Sequence, residues 1–432
     1  MSQTWAALTS DGPIDAVVAV PGSKSMTNRA LVLAALASTP TLLRAPLIAR
    51  DTELMAAALV AVGTAVDTRA PTSGGTVDWL VTPGAFVGPA SVDCGLAGTV
   101  MRFVPPVAAL AFGTVSFDGD PAARQRPMAP VIDGLRQLGV SVDDGGRGTL
   151  PFAVNGSGHV RGGTVDVDAS GSSQFVSGLL LAGCRYDEGL LVRSVGPTVP
   201  SLPHVEMSLA MLTAVGLTAE PVDDDGGSQA WRVAPGTPRG GEVVIEPDVS
   251  NTLPFAAAAL ATGGRVRIKA FPGGTSVQAV TEVCNLLTQL GAVLTVDGAD
   301  LVVDGSGGLR GGDLDLSRVG ELVPVVAALA CLADAPTVIR GVAHLRGHET
   351  DRLAALTKEL SRLGAQVEET DDGLSIVPRP LHGGVFETYE DHRMATAAAV
   401  LGLVVPGIEV VDVATTGKTL PGFVALWTGM LA

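Results

Sequence analysis

Polar side chains, several of them positive, recur in this chain where Ala- or Leu-rich runs begin. The first group is Lys24, Ser25 and Arg29 in "PGSKSMTNRALVLAAL". The second is Gly98, Thr99 and Arg102 in "LAGTVMR", and the third is Ser172, Ser173 and Gln174. A helix N-terminus exposes unpaired N–H groups and the positive end of the helix dipole, so residues of this kind at helix starts suit a phosphate or carboxylate. A fourth start, Asp248, Ser250 and Asn251, reads as plain capping. The fifth puts Glu321 just inside a predominantly apolar helix, where a carboxylate is unusual, and the sixth offers Asp391, His392 and Arg393. The loops that follow the Ala-rich helices add Arg124 and Arg126, Ser201 and His204, His348, Glu349 and Arg352, and Lys418. Arginine forks match carboxylate and phosphate bidentately, and bonds of this kind contribute about 1.5–3 kcal/mol each.

Bland readings compete at each position. A solvated basic patch accounts for Lys24 and Arg29 as well as an anion grip does when the stretch is taken alone. For Ser172 and Ser173, N-capping is the simpler role. A nucleotide P-loop is excluded, because Ser23 precedes Lys24 and Ala19 stands where the first glycine of that motif belongs. His344, His348 and Glu349 invite a metal reading, but the order is not His-Glu-x-x-His and a further ligand is unassigned. No dinucleotide-type glycine motif follows a strand, and no Gly-x-Ser-x-Gly elbow appears.

Composition narrows the partners. The formal net charge of −16 leaves no basic footprint for nucleic acid, so any anion site must be built by local convergence of Lys and Arg. The longest apolar stretch, Met394 to Val411, is interrupted by Gly402, Pro406, Gly407 and Glu409 and does not read as a membrane span. No secretory leader pattern opens the sequence. Four cysteines stand singly and far apart, which fits a reducing cytoplasm better than a disulfide framework.

The elements that must position these residues repeat. A strand-like segment, a short polar loop and an Ala-rich helix start recur at Val20, Val92, Val167, Ile245, Leu314 and Phe386, spaced 69 to 78 residues apart. A second marker keeps the same period: an apolar helix end followed by Gly63, Gly139, Gly216, Gly291 or Gly364 and then a strand. Glycine accepts the left-handed conformation at a helix C′ position, so these mark helix stops. The chain therefore reads as an α+β (α/β) protein, a βαβαββ-like module repeated six times. The last copy lacks its final strands, and the N-terminal strand–Gly–strand segment is expected to close it. Residues 22–243 then form one domain of three modules, and residues 1–21 with 244–432 form the other. The expected active site is the cleft between them. A bare solenoid stack is the alternative.

With these residues in view, "PGSKSMTNRALVLAAL", "AGTVMR", "GDPAARQRP", "GSSQF", "HETDRL", "DHRMA" and "GKTLPGF" resemble, in order and along the whole chain, the motifs of the 5-enolpyruvylshikimate-3-phosphate synthase family. The resemblance implies two similar domains of three βαβαββ units each, the inverted α/β prism. It also implies transfer of the enolpyruvyl group of phosphoenolpyruvate to the 5-hydroxyl of shikimate 3-phosphate, with release of phosphate through a tetrahedral ketal intermediate. By motif position, Lys24, Ser25, Arg29, Ser172, Ser173, Gln174, Ser201, Glu321 and His348 would bind shikimate 3-phosphate. Lys24, Gly98, Arg126, Gln174, Arg352, Arg393 and Lys418 would surround phosphoenolpyruvate, and Gly98 would border the pocket shared with the inhibitor glyphosate. Glu321 is expected to act as base on the hydroxyl and Glu349 to exchange the methyl proton, with Lys24 assisting. The resemblance implies no cofactor, no metal, no nucleic-acid or membrane partner, a cytoplasmic location and a monomer.

Several positions depart from the family's commonest pattern. Leu96 stands for Asn, His204 for Tyr, His348 for Lys, Glu321 for Asp and His344 for Asn. They bear on the shikimate side and on pH dependence, and they leave the phosphoenolpyruvate set intact. His348 is the most consequential, since an imidazole changes charge near neutrality where an ammonium does not. Two rival readings differ from this one at particular residues. The sister transferase acting on UDP-N-acetylglucosamine carries a Cys in the loop that here reads "GDPAARQRP", and Ala-Lys-Asn for Ser-Lys-Ser. A non-catalytic metabolite-binding relative would be expected to lose a member of the charged set, yet every member is present.

Overall fold

The third module shows how the chain folds each time. The strand Gly163–Val167 leads into the helix Ser173–Gly183, the strand Leu190–Ser194, the helix Pro203–Ala214 and the strands Ala219–Asp223 and Gln229–Val233. The leading strand lies parallel to the strand after the helix, in the register Gly163↔Leu190. A parallel pair needs such a crossover, and the helix supplies it. The last two strands add an antiparallel pair, giving a four-stranded sheet. The structure, a computed structural model, describes residues 4–71, 77–223 and 229–431.

Contacts divide the chain into two compact units, Gly22–Glu246 and Met1–Pro21 with Pro247–Ala432. In the first unit the helices that open the modules are Lys24–Ala35, Gly98–Ala108 and Ser173–Gly183. They pack on one another, and nearly every residue in them is buried. The second unit repeats this with Val249–Thr262, Val323–Ala330 and His392–Gly402. Helices apolar all round belong in a core. The sheets lie outside them: strands such as Asp15–Val18 and Thr337–Arg340 alternate exposed and buried residues, the pattern of a sheet with one solvated face.

The N-terminal segment does not stay together as a hairpin on the last module. Thr4–Ala6 pairs antiparallel with Ile408–Val411 of the sixth module's sheet, whereas Asp15–Val18 runs parallel to Arg265–Ile268 of the fourth. The alternation of Ile14, Ala16, Val18 and Val20 explains the second choice, because these side chains join Leu253 and Phe255 in the core. Reciprocally, Gly241–Val244 takes the leading place in the first module's sheet, parallel to Thr41–Arg44. Glu321 differs from expectation too. It sits in a 3₁₀ turn, Gly320–Leu322, ahead of the helix Val323–Ala330, so its carboxylate stands at the helix entrance rather than within the apolar face.

Candidate functional site

In the unit Gly22–Glu246, Ser23 caps the first helix by accepting from the Met26 N–H at 3.4 Å. With Ser23 as the cap, the half-buried Lys24 and Ser25 fall in the first turn. The Lys24 ammonium lies 3.6 Å from the buried Asp51 carboxylate. Arg29 is fully buried and its guanidinium donates to neutral acceptors: Ser208 Oγ at 2.8 Å, the His204 carbonyl at 2.8 Å, the Ser25 carbonyl at 3.1 Å and Ser177 Oγ at 3.2 Å. It also lies over the Phe103 ring. Burial lowers its pKa to about 9. These four acceptors hold a cation in place without neutralising it, so Arg29 keeps a positive field at this helix start.

A second group converges where the helix Gly98–Ala108 begins. A Cβ added to Gly98 would meet Arg102 at 2.9 Å, Arg126 at 3.0 Å and Gln174 Oε1 at 3.0 Å. Ala97 gives that helix no side-chain cap. Arg126 is 7% exposed and donates weakly to the Leu96 carbonyl at 3.4 Å, and its Nε has no hydrogen-bond partner among the described residues. Gln174 Oε1 likewise has none. Buried polar atoms left in this state are costly, and they mark a place where a ligand can bring an acceptor to Arg126 and a donor to Gln174 Oε1. Ser172 caps its helix by accepting from the Gln174 N–H, and Ser173 is buried in the first turn. Ser201 is buried in a left-handed conformation with φ 51°, strained for a serine. Arg124, in contrast, is an exposed partner of Asp118 and stands apart from this group.

In the other unit, a buried chain of charges runs through four residues. Lys418 Nζ donates to Glu349 Oε1 at 2.6 Å, and Glu349 Oε2 accepts from Arg352 at 3.1 Å. Arg352 in turn forks onto Asp391 at 2.7 and 3.2 Å. Burial works to lower the Arg352 pKa, but Asp391 and Glu349 outweigh it and raise it. Asp391 is fully buried and also caps the helix His392–Gly402, accepting from the Arg393 N–H at 2.9 Å. Arg393 donates to the Ser250 carbonyl at 3.1 Å, and burial lowers its pKa. Ser250 Oγ donates to Glu321 Oε1 at 2.9 Å. The fourth helix start is therefore more than capping: Asp248 is the cap, while Ser250 ties Glu321 to Arg393. In the sequence Ser250 is marked only by lying two residues after the N-cap Asp248.

The histidines are grouped as well. His344 and His348 stand edge to face with ring centroids 5.7 Å apart, and His348 Nδ1 is 3.8 Å from Glu349. His344 crowds Gly320, whose added Cβ would lie 2.6 Å from Nε2. Burial pushes the His344 pKa down to about 3, so this imidazole is neutral. Among the described residues, no group of three or more His, Cys, Asp or Glu side chains could hold a metal ion. No helix of the described residues is long and apolar enough to cross a membrane.

Residues 8–427 match the family described as EPSP synthase (3-phosphoshikimate 1-carboxyvinyltransferase). A 3-phosphoshikimate 1-carboxyvinyltransferase from Kocuria rhizophila is 56% identical over 425 residues, spanning 97% of this chain and 94% of that protein. Two solved structures of EPSP synthase from Acinetobacter baumannii superpose on 99% of this chain and 98% of theirs. Their TM-scores are 0.78 and 0.77, at 26% and 25% identity.

Proposed function

The chain belongs to the EPSP synthase family, and on that premise we propose that the residues described above are the working parts of a 3-phosphoshikimate 1-carboxyvinyltransferase. The enzyme moves the enolpyruvyl group of phosphoenolpyruvate onto the 5-hydroxyl of shikimate 3-phosphate and releases inorganic phosphate. In the first half of the reaction the 5-oxygen loses its proton and bonds to C2 of phosphoenolpyruvate while C3 gains a proton. In the second half C3 loses a proton, the C2–C3 double bond returns, and the C2–O bond to phosphate breaks.

Our assignment divides these steps among named groups. Glu321, fixed by Ser250, takes the hydroxyl proton. Glu349 exchanges the C3 proton, with Lys418 at 2.6 Å as the adjacent proton source, and Lys24 assists. Arg126, Gln174, Arg352, Arg393 and Lys418, with Lys24 and the Gly98 helix start, hold phosphoenolpyruvate and stabilise the charge of the tetrahedral ketal phosphate. Ser25, Arg29, Ser172, Ser173, Ser201 and His348, with Lys24, Gln174 and Glu321, hold shikimate 3-phosphate. In this reading both units contribute to one reaction, and the protein acts as a cytoplasmic monomer without a cofactor or metal.

The observation that carries the reading is the meeting of a buried Arg126 with Gln174 Oε1 at Gly98, both with an atom lacking a hydrogen-bond partner among the described residues. The Arg126 guanidinium and a bare helix start offer an anion site, and Gln174 Oε1 beside them accepts from a protonated or hydroxyl group of a ligand. Phosphate release measured with both substrates present tests the activity. Release that requires both substrates is expected, and no release from the intact protein would overturn the reading.

A further inference from the structure

The helix Arg352–Arg362 grips the segment before the last module's helix at several points along one side. At its start, Arg352 holds Asp391. Two turns on, Glu359 is fully buried, with a side chain 0% exposed. Its Oε1 accepts from the Tyr389 hydroxyl at 2.5 Å, and its Oε2 accepts from the Glu387 N–H at 3.1 Å and from Arg362 at 2.8 Å. Arg362 also donates to the Val385 carbonyl at 3.2 Å, and Lys358 lies 5.5 Å from the Tyr389 ring centroid. Burial, then the bond to Glu359, pushes the Tyr389 phenol up, so it remains a donor.

The gripped segment is strained. Tyr389 and Glu390 are consecutive left-handed residues, with φ 55° and 58°, a conformation that persists only where the surroundings over-determine it. Asp391 comes next, and it carries both Arg352 and the N–H of Arg393. We propose that Glu359 and Tyr389 are positioning residues: their bond holds 386–390 in its strained path and so sets Asp391, and through it the Arg352 and Arg393 guanidinium groups that bind phosphoenolpyruvate. The role of those two arginines is the one assigned under the proposed function, and the brace rests on it.

Steady-state kinetics of Tyr389→Phe and Glu359→Gln test the brace. Loss of one charge-assisted bond is expected to raise KM for phosphoenolpyruvate about tenfold, with KM for shikimate 3-phosphate within about twofold of the parent. The double variant should be no worse than Glu359→Gln alone, since both changes break one connection. An unchanged KM for phosphoenolpyruvate, an equal rise for both substrates, or additive effects would each overturn it. If the parent itself releases no phosphate, the functional reading falls, and amide hydrogen exchange judges the brace without turnover. Faster exchange confined to 386–394 in Tyr389→Phe supports the brace, whereas exchange equal to the parent's refutes it.

Discussion

Lys418 donates to Glu349 across 2.6 Å, with both side chains less than a tenth exposed. Arg352 reaches the other oxygen of the same carboxylate. Two buried cations on one acid orient Glu349, and with Asp391 on the other side of Arg352 the cluster sets two cations against two carboxylates. A carboxylate held at both oxygens has the fixed orientation that proton exchange with a bound substrate needs. Glu349→Gln keeps the shape and removes the basicity. We expect kcat to fall by about a hundredfold or more, the range of a lost general acid–base group. A phosphate-release assay reads it directly, and a variant as active as its parent would remove Glu349 from the proton path.

Asp391 does two jobs that one substitution separates. Asn caps helices about as well as Asp, so Asp391→Asn spares the bond from the Arg393 N–H and breaks only the fork with Arg352. Removing one member of a buried ion pair costs about 3–5 kcal/mol. Urea unfolding should show a loss of that size, with a raised KM for phosphoenolpyruvate. A loss below about 1 kcal/mol, the surface-pair range, would mean that Arg352 finds another partner.

Much of this was legible in the order of residues, and the limits have physical causes. The module count rests on helix stops, and Gly63, Gly139, Gly216, Gly291 and Gly364 all adopt positive φ, from 81° to 119°. Lys24, Arg126 and Lys418 could be singled out because a cation next to a helix start or Gly-rich loop is a local pattern. Ser250, Asp391 and Glu359 could not be given their roles in this way. Their partners lie 71, 39 and 30 residues away, and only the packing of separate modules brings them together. The exchange of leading strands between the first and fourth modules is equally non-local. Asp15–Val18 alternates exposed and buried residues, a pattern that specifies a face but not a neighbour, and Gly241–Val244 has no alternation to read at all.

Gly98 is placed where a methyl group has no room. Its φ is not in the left-handed region, so alanine is free of backbone strain there, and the effect of Gly98→Ala must come from the side chains it meets. All three near atoms are the ends of long side chains, so the fold should tolerate the change while Arg102, Arg126 and Gln174 shift. We expect KM for phosphoenolpyruvate to rise about tenfold, the equivalent of one weakened charge-assisted bond, with little change in melting temperature. Titration of the variant with each substrate checks it. A matching loss of shikimate 3-phosphate affinity would mean that the group does not discriminate between the two substrates.

His344 supplies a pH test of its surroundings. Its folded pKa of about 3 lies below the ordinary imidazole value of 6.5, chiefly through burial, with the neighbouring His348 adding to the depression and Glu321 opposing it. Between those two values the unfolded chain binds a proton at this residue that the folded chain does not. Stability from this group is therefore complete above pH 6.5 and is lost progressively as the pH falls towards 3. His344→Gln removes the titration and keeps a polar group of similar size. The parent should lose melting temperature from pH 7.5 to pH 5 more steeply than the variant, so that the gap between them shifts in the variant's favour on acidification. Parallel melting curves across that range would show that His344 takes up its proton in the folded protein as readily as in the unfolded chain.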